Sequence, residues 1–242
     1  MVWLPRWGCD GMITSSQKLL MARAGVPSGP ATDPFFSDVS LLLHCDGSNG
    51  STTFTDSSSN ALTVTANGDA QIDTTTVKYG TGSAKFDGAG DSLTLADNAL
   101  WAFGTGDFCV EMWFNFTSTS GAQQLISSYV AGFSIQYQST WNIYLSGGTN
   151  VMSRSFTPNT GQWYHLALTR SGTDLRLFVD GSQQGATVTN STNISSAELS
   201  IGKLGGYALQ HFNGYLDDIR ITKGQARYTA NFTPPAAAFP DS

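Results

Sequence analysis

The segment from Gln162 to Gly181 constrains the fold more than any other part of the chain. It holds two apolar runs, Trp163 to Thr169 and Leu175 to Val179, on either side of Ser-Gly-Thr-Asp. Two short apolar runs around a glycine-containing loop are typical of a β-hairpin. Every second residue in each run is large and apolar, so the hairpin has one apolar face. Such a face requires a second sheet to cover it.

The same pattern recurs along most of the chain and predicts the fold class. Short apolar runs bounded by turn residues recur at roughly ten-residue intervals, without a convincing helix among them. In the strongest run, Phe108 to Phe116, alternate residues are all apolar. We therefore predict an all-β domain over residues 37–242, with two antiparallel sheets packed as a jelly-roll sandwich. Prolines after Thr233 exclude a central strand, so the chain from Tyr228 onward is predicted to be an extended strap.

Residues 1–36 do not resemble part of a compact core. Four prolines and several glycines interrupt them, yet they carry Trp3, Trp7 and several Leu and Met residues. A segment of this size lies below the roughly 40 residues that usually fold alone. We predict an extended N-terminal arm, with a short helix over Ser15 to Ala24, that becomes ordered by packing against another protein. Packing of the arm on its own domain is the open alternative.

Composition and cysteine usage exclude several protein classes. Charged residues make up 12% of the 242 residues, the net charge is −6, and the 12 basic residues are scattered, which argues against a nucleic-acid partner. The chain has no apolar run of membrane-spanning length and no recognisable secretory signal. Cys45 and Cys109 lie in apolar runs and are predicted to be buried thiols. Cys9 lies in the arm, where a free thiol and an intermolecular disulfide both remain open.

Catalysis is not predicted. Glycoside hydrolysis needs two carboxylates about 5 to 9.5 Å apart on one face, and the Phe108 to Phe116 strand holds Glu111 alone. His44, His165 and His211 each lie in a strand-like setting, without an acidic partner at a recognisable spacing. We therefore expect a protein that is not an enzyme.

Five segments, in order, resemble a laminin-G-like domain of the concanavalin A-like lectin/glucanase superfamily. They are LLLHCDG with its DSSSN loop, GSAKFDGAGDSLTL, GDFCVEMWFNF, GQWYHLALTRSGTDLRLFVDG and FNGYLDDIRIT. This resemblance implies a jelly roll, often with a structural calcium ion and often with bound glycans. The opening DPFFSDVSLLLHCDGSNGSTTFTDSSSN and the ending GQARYTANFTPPAAAFP also resemble tail, fibre and head-decoration proteins of bacteriophages.

The resemblance implies a place for calcium. First and last strands of the superfamily lie side by side, so Asp46 and Asp218 could share an ion with a carbonyl such as that of Gly47. A second, loop-based set of oxygen donors is Asp56, Asn60, Asp87 and Asp91. The alternative is that these acidic residues only stabilise turns.

Glycan binding needs flat aromatic faces beside polar groups. The predicted ligand-binding residues are Trp141, Tyr144, Tyr137 and Tyr207, with Trp101 and Tyr129 as further candidates. Each could instead belong to the core or to a subunit interface.

These observations lead to one functional prediction and its rivals. We predict a bacteriophage virion structural protein, a capsid decoration or tail-fibre component, which attaches to other virion proteins through its arm. It is expected to form a homo-oligomer and to display a domain that binds host-surface glycans. The alternative is a secreted or cell-surface lectin module, and a more distant one is a degraded glycosidase.

Overall fold

A computed structural model describes residues 32–129 and 131–242, and Thr32–Ser242 forms one compact unit. Within these residues no α-helix forms, and the only helical turns are 3₁₀ turns at Phe36–Asp38 and Ala99–Trp101. The described strands are β1 (Val39–Leu43), β2 (Thr65–Asn67), β3 (Gln71–Asp73), β4 (Ser83–Asp87), β5 (Ser92–Leu95), β6 (Phe108–Phe116), β7 (Gln123–Ser127), β8 (Phe133–Tyr137), β9 (Trp141–Leu145), β10 (Thr149–Arg154), β11 (Tyr164–Ser171), β12 (Asp174–Val179), β13 (Ser182–Gln183), β14 (Val188–Thr189), β15 (Leu199–Ile201) and β16 (Asn213–Lys223).

The strands form two antiparallel sheets. The first sheet has nine strands in the order β13-β12-β11-β6-β16-β4-β3, with β1 also paired to β16 and β14 to β12. The second has seven strands in the order β10-β9-β8-β7-β15-β5-β2. Strand β16 pairs with β6 along one edge, and along the other edge its first half pairs with β4 and its second half with β1. The all-β jelly-roll prediction is confirmed.

The core lies between the two sheets. It is one continuous cluster of apolar side chains that alternate along the strands, as in Val110, Met112 and Phe114 of β6. The hairpin of β11 and β12 forms as predicted, with Leu168 opposite Leu177. Burying this continuous apolar area is what holds the sheets together.

A third layer covers the outer face of the first sheet. Residues 224–242, which we call the C-terminal strap, contain no strand and run across this face as the prolines predicted. Tyr228 and Phe232 stack on each other at 3.6 Å between ring centroids, and Phe232 packs against His165 and Phe178 of the sheet. Strand β6 is consequently buried on both faces.

The domain begins earlier than the sequence predicted. The boundary was placed before residue 37, but the compact unit starts at Thr32. The Asp33 carboxylate accepts hydrogen bonds from Arg220 at 3.0 Å and Arg227 at 2.7 Å, and the Asp33 backbone N–H donates to the Ser242 carbonyl. Asp33 thus belongs to the jelly roll. The rest of the predicted arm, with its helix and Cys9, lies outside the described residues.

The two cysteines of the domain are buried thiols, as expected. Cys45 and Cys109 are both free and enclosed by the core or the strap. Burial raises the pKa of each thiol well above its ordinary value. Neither is suited to act as a nucleophile.

Candidate functional site

The outer face of the seven-stranded sheet is polar and uncharged where β7, β8 and β9 meet. Apolar residues of these strands point into the core, so their neighbours in sequence point outward. The register places Gln124 opposite Gln136, Gln136 opposite Asn142, and Ser134 opposite Tyr144. Amides and hydroxyls therefore form continuous rows across three strands.

A pocket of about 160 Å³ opens on this face, and we call it the tyrosine–glutamine pocket. Its described lining is Gln124, Tyr129, Gln136, Tyr144, Leu204 and Gln210. Gln124, Gln136 and Tyr144 come from β7, β8 and β9, while Leu204 and Gln210 come from the loop between β15 and β16. These six residues include no carboxylate and no cation, so the pocket suits a neutral ligand.

A hydrogen-bond network fixes the polar side chains of the pocket. The Gln210 Oε1 atom accepts from Gln124 Nε2 at 2.9 Å and from Gln136 Nε2 at 2.8 Å. The Tyr144 hydroxyl donates to Gln136 Oε1 at 3.2 Å, and Ser134 Oγ donates to Gln124 Oε1 at 2.6 Å. The Gln210 carbonyl also accepts from the Gln124 backbone N–H. Because each side chain is held by another, the pocket is preorganised.

Two further tyrosines form the rim of the pocket. Tyr129 and Tyr207 pack edge to face, with 5.9 Å between ring centroids, and Tyr207 is 48% exposed. Gly148 makes room for Tyr129, since a Cβ atom at this position would come within 2.5 Å of the Tyr129 hydroxyl. The rim thus offers the aromatic surface on which the apolar face of a sugar ring can stack.

The structure separates the four predicted ligand-binding residues into two groups. Tyr144 lines the pocket and Tyr207 contributes to its rim. Trp141 is 0% exposed and Tyr137 is 2% exposed, and both rings pack on Phe116 in the core. The prediction that these two rings meet a sugar is therefore wrong, because their strand positions point inward.

One further predicted residue is buried, and the sequence analysis missed three residues of the pocket. Trp101 is also buried, and its indole N–H donates to the Ala197 carbonyl at 2.7 Å. Sequence reasoning missed Gln124, Gln136 and Gln210. Gln136 alternates with core residues of β8, so strand alternation could have identified it. Gln124 precedes two consecutive core residues, Leu125 and Ile126, where the register shifts, so alternation does not single it out. Gln210 lies in a loop, where no periodicity applies.

Glu111, the lone carboxylate of the central strand, is a structural anchor. It is fully buried and ion-paired with Arg220 at 2.8 Å, and the Tyr228 hydroxyl of the strap donates to it at 2.9 Å. Burial opposes its ionisation, but Arg220 and His165 outweigh that effect and hold the pKa of Glu111 at about 2. A fully buried carboxylate that stays ionised down to about pH 2 is not suited to the role of a glycosidase acid.

A family model described as the concanavalin A-like lectin/glucanases superfamily matches residues 87–227, more than half of the chain. The chain belongs to the concanavalin A-like lectin/glucanase superfamily. No curated protein sequence matches it significantly.

Several solved structures of this superfamily fold are similar to the chain. The binding domain of Paraclostridial Mosquitocidal Protein 1 matches with a TM-score of 0.63 and 15% identity, covering 80% of this chain and 50% of that chain. Domain 4 of AbnA, a GH43 extracellular arabinanase from Geobacillus stearothermophilus solved with arabinotriose, has a TM-score of 0.60 and 16% identity, covering 78% and 94%. The botulinum neurotoxin serotype D binding domain has a TM-score of 0.61 and 13% identity, covering 80% and 50%. The chain spans about half the length of the two toxin domains.

The calcium ligands implied by the superfamily do not fit an ion as they are arranged. Strand β1 does pair with β16, so the chain segments of Asp46 and Asp218 are neighbours as expected. However, Asp218 accepts from His44 at 2.6 Å and from the Phe239 N–H at 2.7 Å, whereas Asp46 accepts from the backbone N–H and hydroxyl of Thr81. The Gly47 N–H is directed to the same Thr81 hydroxyl at 3.3 Å.

The electrostatics at Asp218 and the second set of oxygen donors also argue against a bound calcium ion. Hydrogen bonding to Asp218 raises the pKa of His44, which favours the protonated imidazolium. This cation pairs with the Asp218 carboxylate that a calcium ion would need. Asp56 accepts the backbone N–H of Ser58 in its own turn and that of Leu42 in β1, and Asp91 accepts those of Asp87 and Asp69. Among the described residues no group of three or more His, Cys, Asp or Glu side chains could hold a metal. The hydrogen-bond donors of the protein therefore occupy these carboxylates, some within turns and others between distant segments.

No helix in the described part of the chain is long and apolar enough to cross a membrane.

Proposed function

We propose that this domain is a non-catalytic carbohydrate-binding module whose ligand occupies the tyrosine–glutamine pocket. The carrying observation is that a fixed network of neutral amides and hydroxyls lies beside the tyrosine rings of the pocket and its rim. Sugars need this combination, because each pyranose has hydroxyls along its edge and an apolar face.

A larger open pocket of about 330 Å³ on the first sheet is a weaker candidate. Its lining includes Asn115 and Tyr215, but the other polar groups are threonine hydroxyls at its edge. No described hydrogen bond fixes the Asn115 amide, so a ligand there would have to order it at an entropic cost. The tyrosine–glutamine pocket is already ordered.

The structural neighbours are binding domains, which is the class of protein that we propose. One of them is an arabinanase domain solved with arabinotriose, and two others are toxin binding domains. At 13–16% identity these matches indicate the fold alone. The absence of carboxylates from the described lining of the pocket, together with the burial of Glu111, favours binding without hydrolysis.

The test compares two half-buried tyrosines on opposite sheets. Tyr144→Ala removes a ring from the pocket, and Tyr215→Ala, the matched control, removes one from the outer face of the first sheet. Loss of a stacked ring costs on the order of 1–2 kcal/mol, so Tyr144→Ala should weaken glycan binding about tenfold. Multimeric protein on a glycan array, followed by titration of each positive glycan, gives the measurement.

Two outcomes would refute the proposal. One is an array without any positive glycan for multimeric wild-type protein. The other is glycan binding that Tyr215→Ala abolishes and Tyr144→Ala leaves unchanged, since the ligand would then lie on the first sheet.

The finer proposal is that the domain is displayed in many copies on a bacteriophage particle. It rests on the sequence resemblance of the opening and closing segments, and the attachment arm lies outside the described residues. Weak sites become effective when many copies act together, which suits a decoration or fibre protein. Imaging of purified particles with this chain located in them would test the placement. A chain that is secreted and never incorporated would favour the lectin-module alternative.

A further inference from the structure

We propose that the tyrosine–glutamine pocket selects sugars with an acetamido group, as in 2-acetamido-2-deoxyhexoses. The inference rests on the proposed carbohydrate-binding function and specifies its ligand class. It follows from the direction of the hydrogen-bond network, which decides whether Gln210 presents a donor or an acceptor to the ligand.

The buried hydroxyl of Ser134 sets this direction. Ser134 is 0% exposed, and its only hydrogen-bond partner among the described residues is Gln124 Oε1 at 2.6 Å. A buried hydroxyl that donates to no acceptor has lost its hydrogen bonds to water without compensation, which is costly. If Gln124 presented its amide nitrogen instead, the Ser134 proton would have no acceptor. The Gln124 carbonyl oxygen therefore faces Ser134, and its nitrogen faces Gln210.

The direction then passes through the other amides. With Gln124 Nε2 facing Gln210 at 2.9 Å, the facing Gln210 atom must be the carbonyl oxygen, because two N–H donors would repel. Gln136 approaches the same oxygen at 2.8 Å and must also present its nitrogen. The Gln136 oxygen is left to accept from the Tyr144 hydroxyl. One serine thus orients three amides.

The pocket consequently has more unused donor hydrogens than unused acceptor positions, because Gln210 Oε1 accepts twice and the Gln124 and Gln136 oxygens accept once each. Gln210 Nε2 has no acceptor among the described residues, and the Nε2 groups of Gln124 and Gln136 each use one of two hydrogens. A ligand that presents a hydrogen-bond acceptor fits this arrangement. The hydroxyl oxygens of the tyrosines that line the pocket can accept a single N–H from the ligand.

Among sugar acceptors, the acetamido carbonyl matches the rest of the lining. A carboxylate would be desolvated without a cation, since the six described lining residues are uncharged, and that burial is costly. An acetamido group is neutral, offers a strong carbonyl acceptor and one N–H, and carries a methyl group. Leu204 and the ring of Tyr144 supply the apolar contact that this methyl group requires.

Matched sugar pairs test the inference. N-acetylglucosamine and N-acetylgalactosamine would be titrated against glucose and galactose, with the side-chain amide resonances of Gln210 followed by NMR. We expect at least about tenfold tighter binding of the acetylated member, with the Gln210 resonances shifting on saturation. The de-N-acetylated amino sugars, which present an ammonium donor, should not bind better than glucose or galactose.

Two variants and a control isolate the network. Gln210→Glu still accepts from Gln124 and Gln136 but lacks donors, so the acetamido preference should fall to near onefold. Ser134→Ala removes the group that sets the direction and should reduce the preference while retaining binding. Gln138→Glu adds the same charge at an exposed position of the β8–β9 turn and should leave the preference unchanged.

The outcomes separate this inference from the proposed function. If wild-type protein binds glycans on the array but prefers non-acetylated sugars or shows no preference, the inference is wrong and the binding function stands. An acetamido preference that survives Gln210→Glu also overturns it. If none of these monosaccharides binds while the array has a positive glycan, the inference is wrong and the binding function stands. If the array has no positive glycan, the proposed function fails and this inference fails with it.

Discussion

Replacement of Trp141 separates a core role from a sugar-binding role, which the sequence alone left open. The side chain is 0% exposed and its ring lies 5.1 Å from Phe114 and 5.2 Å from Tyr137, centroid to centroid. We expect Trp141→Ala to destabilise the domain strongly and Trp141→Phe to destabilise it much less. Neither substitution should change glycan affinity in protein that remains folded.

The magnitude follows from two opposing terms. Truncating a buried Trp to Ala typically costs about 3–5 kcal/mol, because contacts are lost and a cavity remains. Phe retains most of the aromatic packing. It also removes the indole N–H, which is buried without an acceptor among the described residues, and an unsatisfied donor costs about 1–3 kcal/mol. The net loss for Trp141→Phe should therefore be below about 2 kcal/mol, against a typical total stability of about 5–15 kcal/mol.

Urea unfolding followed by far-UV circular dichroism measures both effects, and it avoids fluorescence, which the substitution itself alters. The slope m should stay constant if the variants keep the same folded and unfolded surfaces. Glycan titration of Trp141→Phe should match wild type within about twofold, a free-energy difference of roughly 0.4 kcal/mol. Wild-type stability combined with lost glycan binding in Trp141→Phe would refute the reasoning, since Trp141 would then be a ligand contact.

Three further predictions concern the first sheet. The folded-state pKa of Glu111 is about 2 against an ordinary 4.5, so its contribution of about 3 kcal/mol to the free energy of unfolding should be present above pH 4.5 and lost as the pH falls toward 2. Urea unfolding across this pH range would show the loss, and Glu111→Gln should flatten the pH dependence. A chain beginning at Thr32 should fold normally, whereas one beginning at Ser37 lacks Asp33 and should lose up to about 3–5 kcal/mol. Arg227 then loses its close carboxylate partner, and Arg220 keeps Glu111 alone; equal melting temperatures would contradict this. Calcium and a chelator should give the same melting temperature, and a rise that depends on calcium concentration would revive the predicted ion at Asp46 and Asp218.

Much of the fold could be predicted from the sequence because strand alternation is a local signal. The hairpin of β11 and β12 and the apolar face of β6 were both identified correctly. The start of the domain was misplaced because Asp33 is held by ion pairs with Arg220 and Arg227, which are 187 and 194 residues away. Contacts at such separation leave no pattern in the local sequence.

The site was predicted less well, for a related reason. Aromatic residues were chosen for their chemistry, and alternation was not applied to decide which of them faced outward. Alternation would have excluded Tyr137 and Trp141, which share the inward phase of Phe133 and Ile135, and retained Tyr144. It could not have found Gln210, because this residue lies in a loop with a φ of 58° and is placed in the pocket by hydrogen bonds to two strands.

The outer faces of the two sheets differ in charge. Buried charges gather on the first sheet, where Glu111, Arg220, Asp33 and Arg227 connect the strap and the domain's first residues to the central strands. The pocket on the second sheet is neutral, and its described lining carries no part of that ion-pair network. Substitutions in the pocket therefore change only local hydrogen bonds, each worth about 1 kcal/mol, whereas a broken buried ion pair costs several times more. The side chains of the pocket can thus be replaced with less loss of stability than the ion-paired residues of the first sheet.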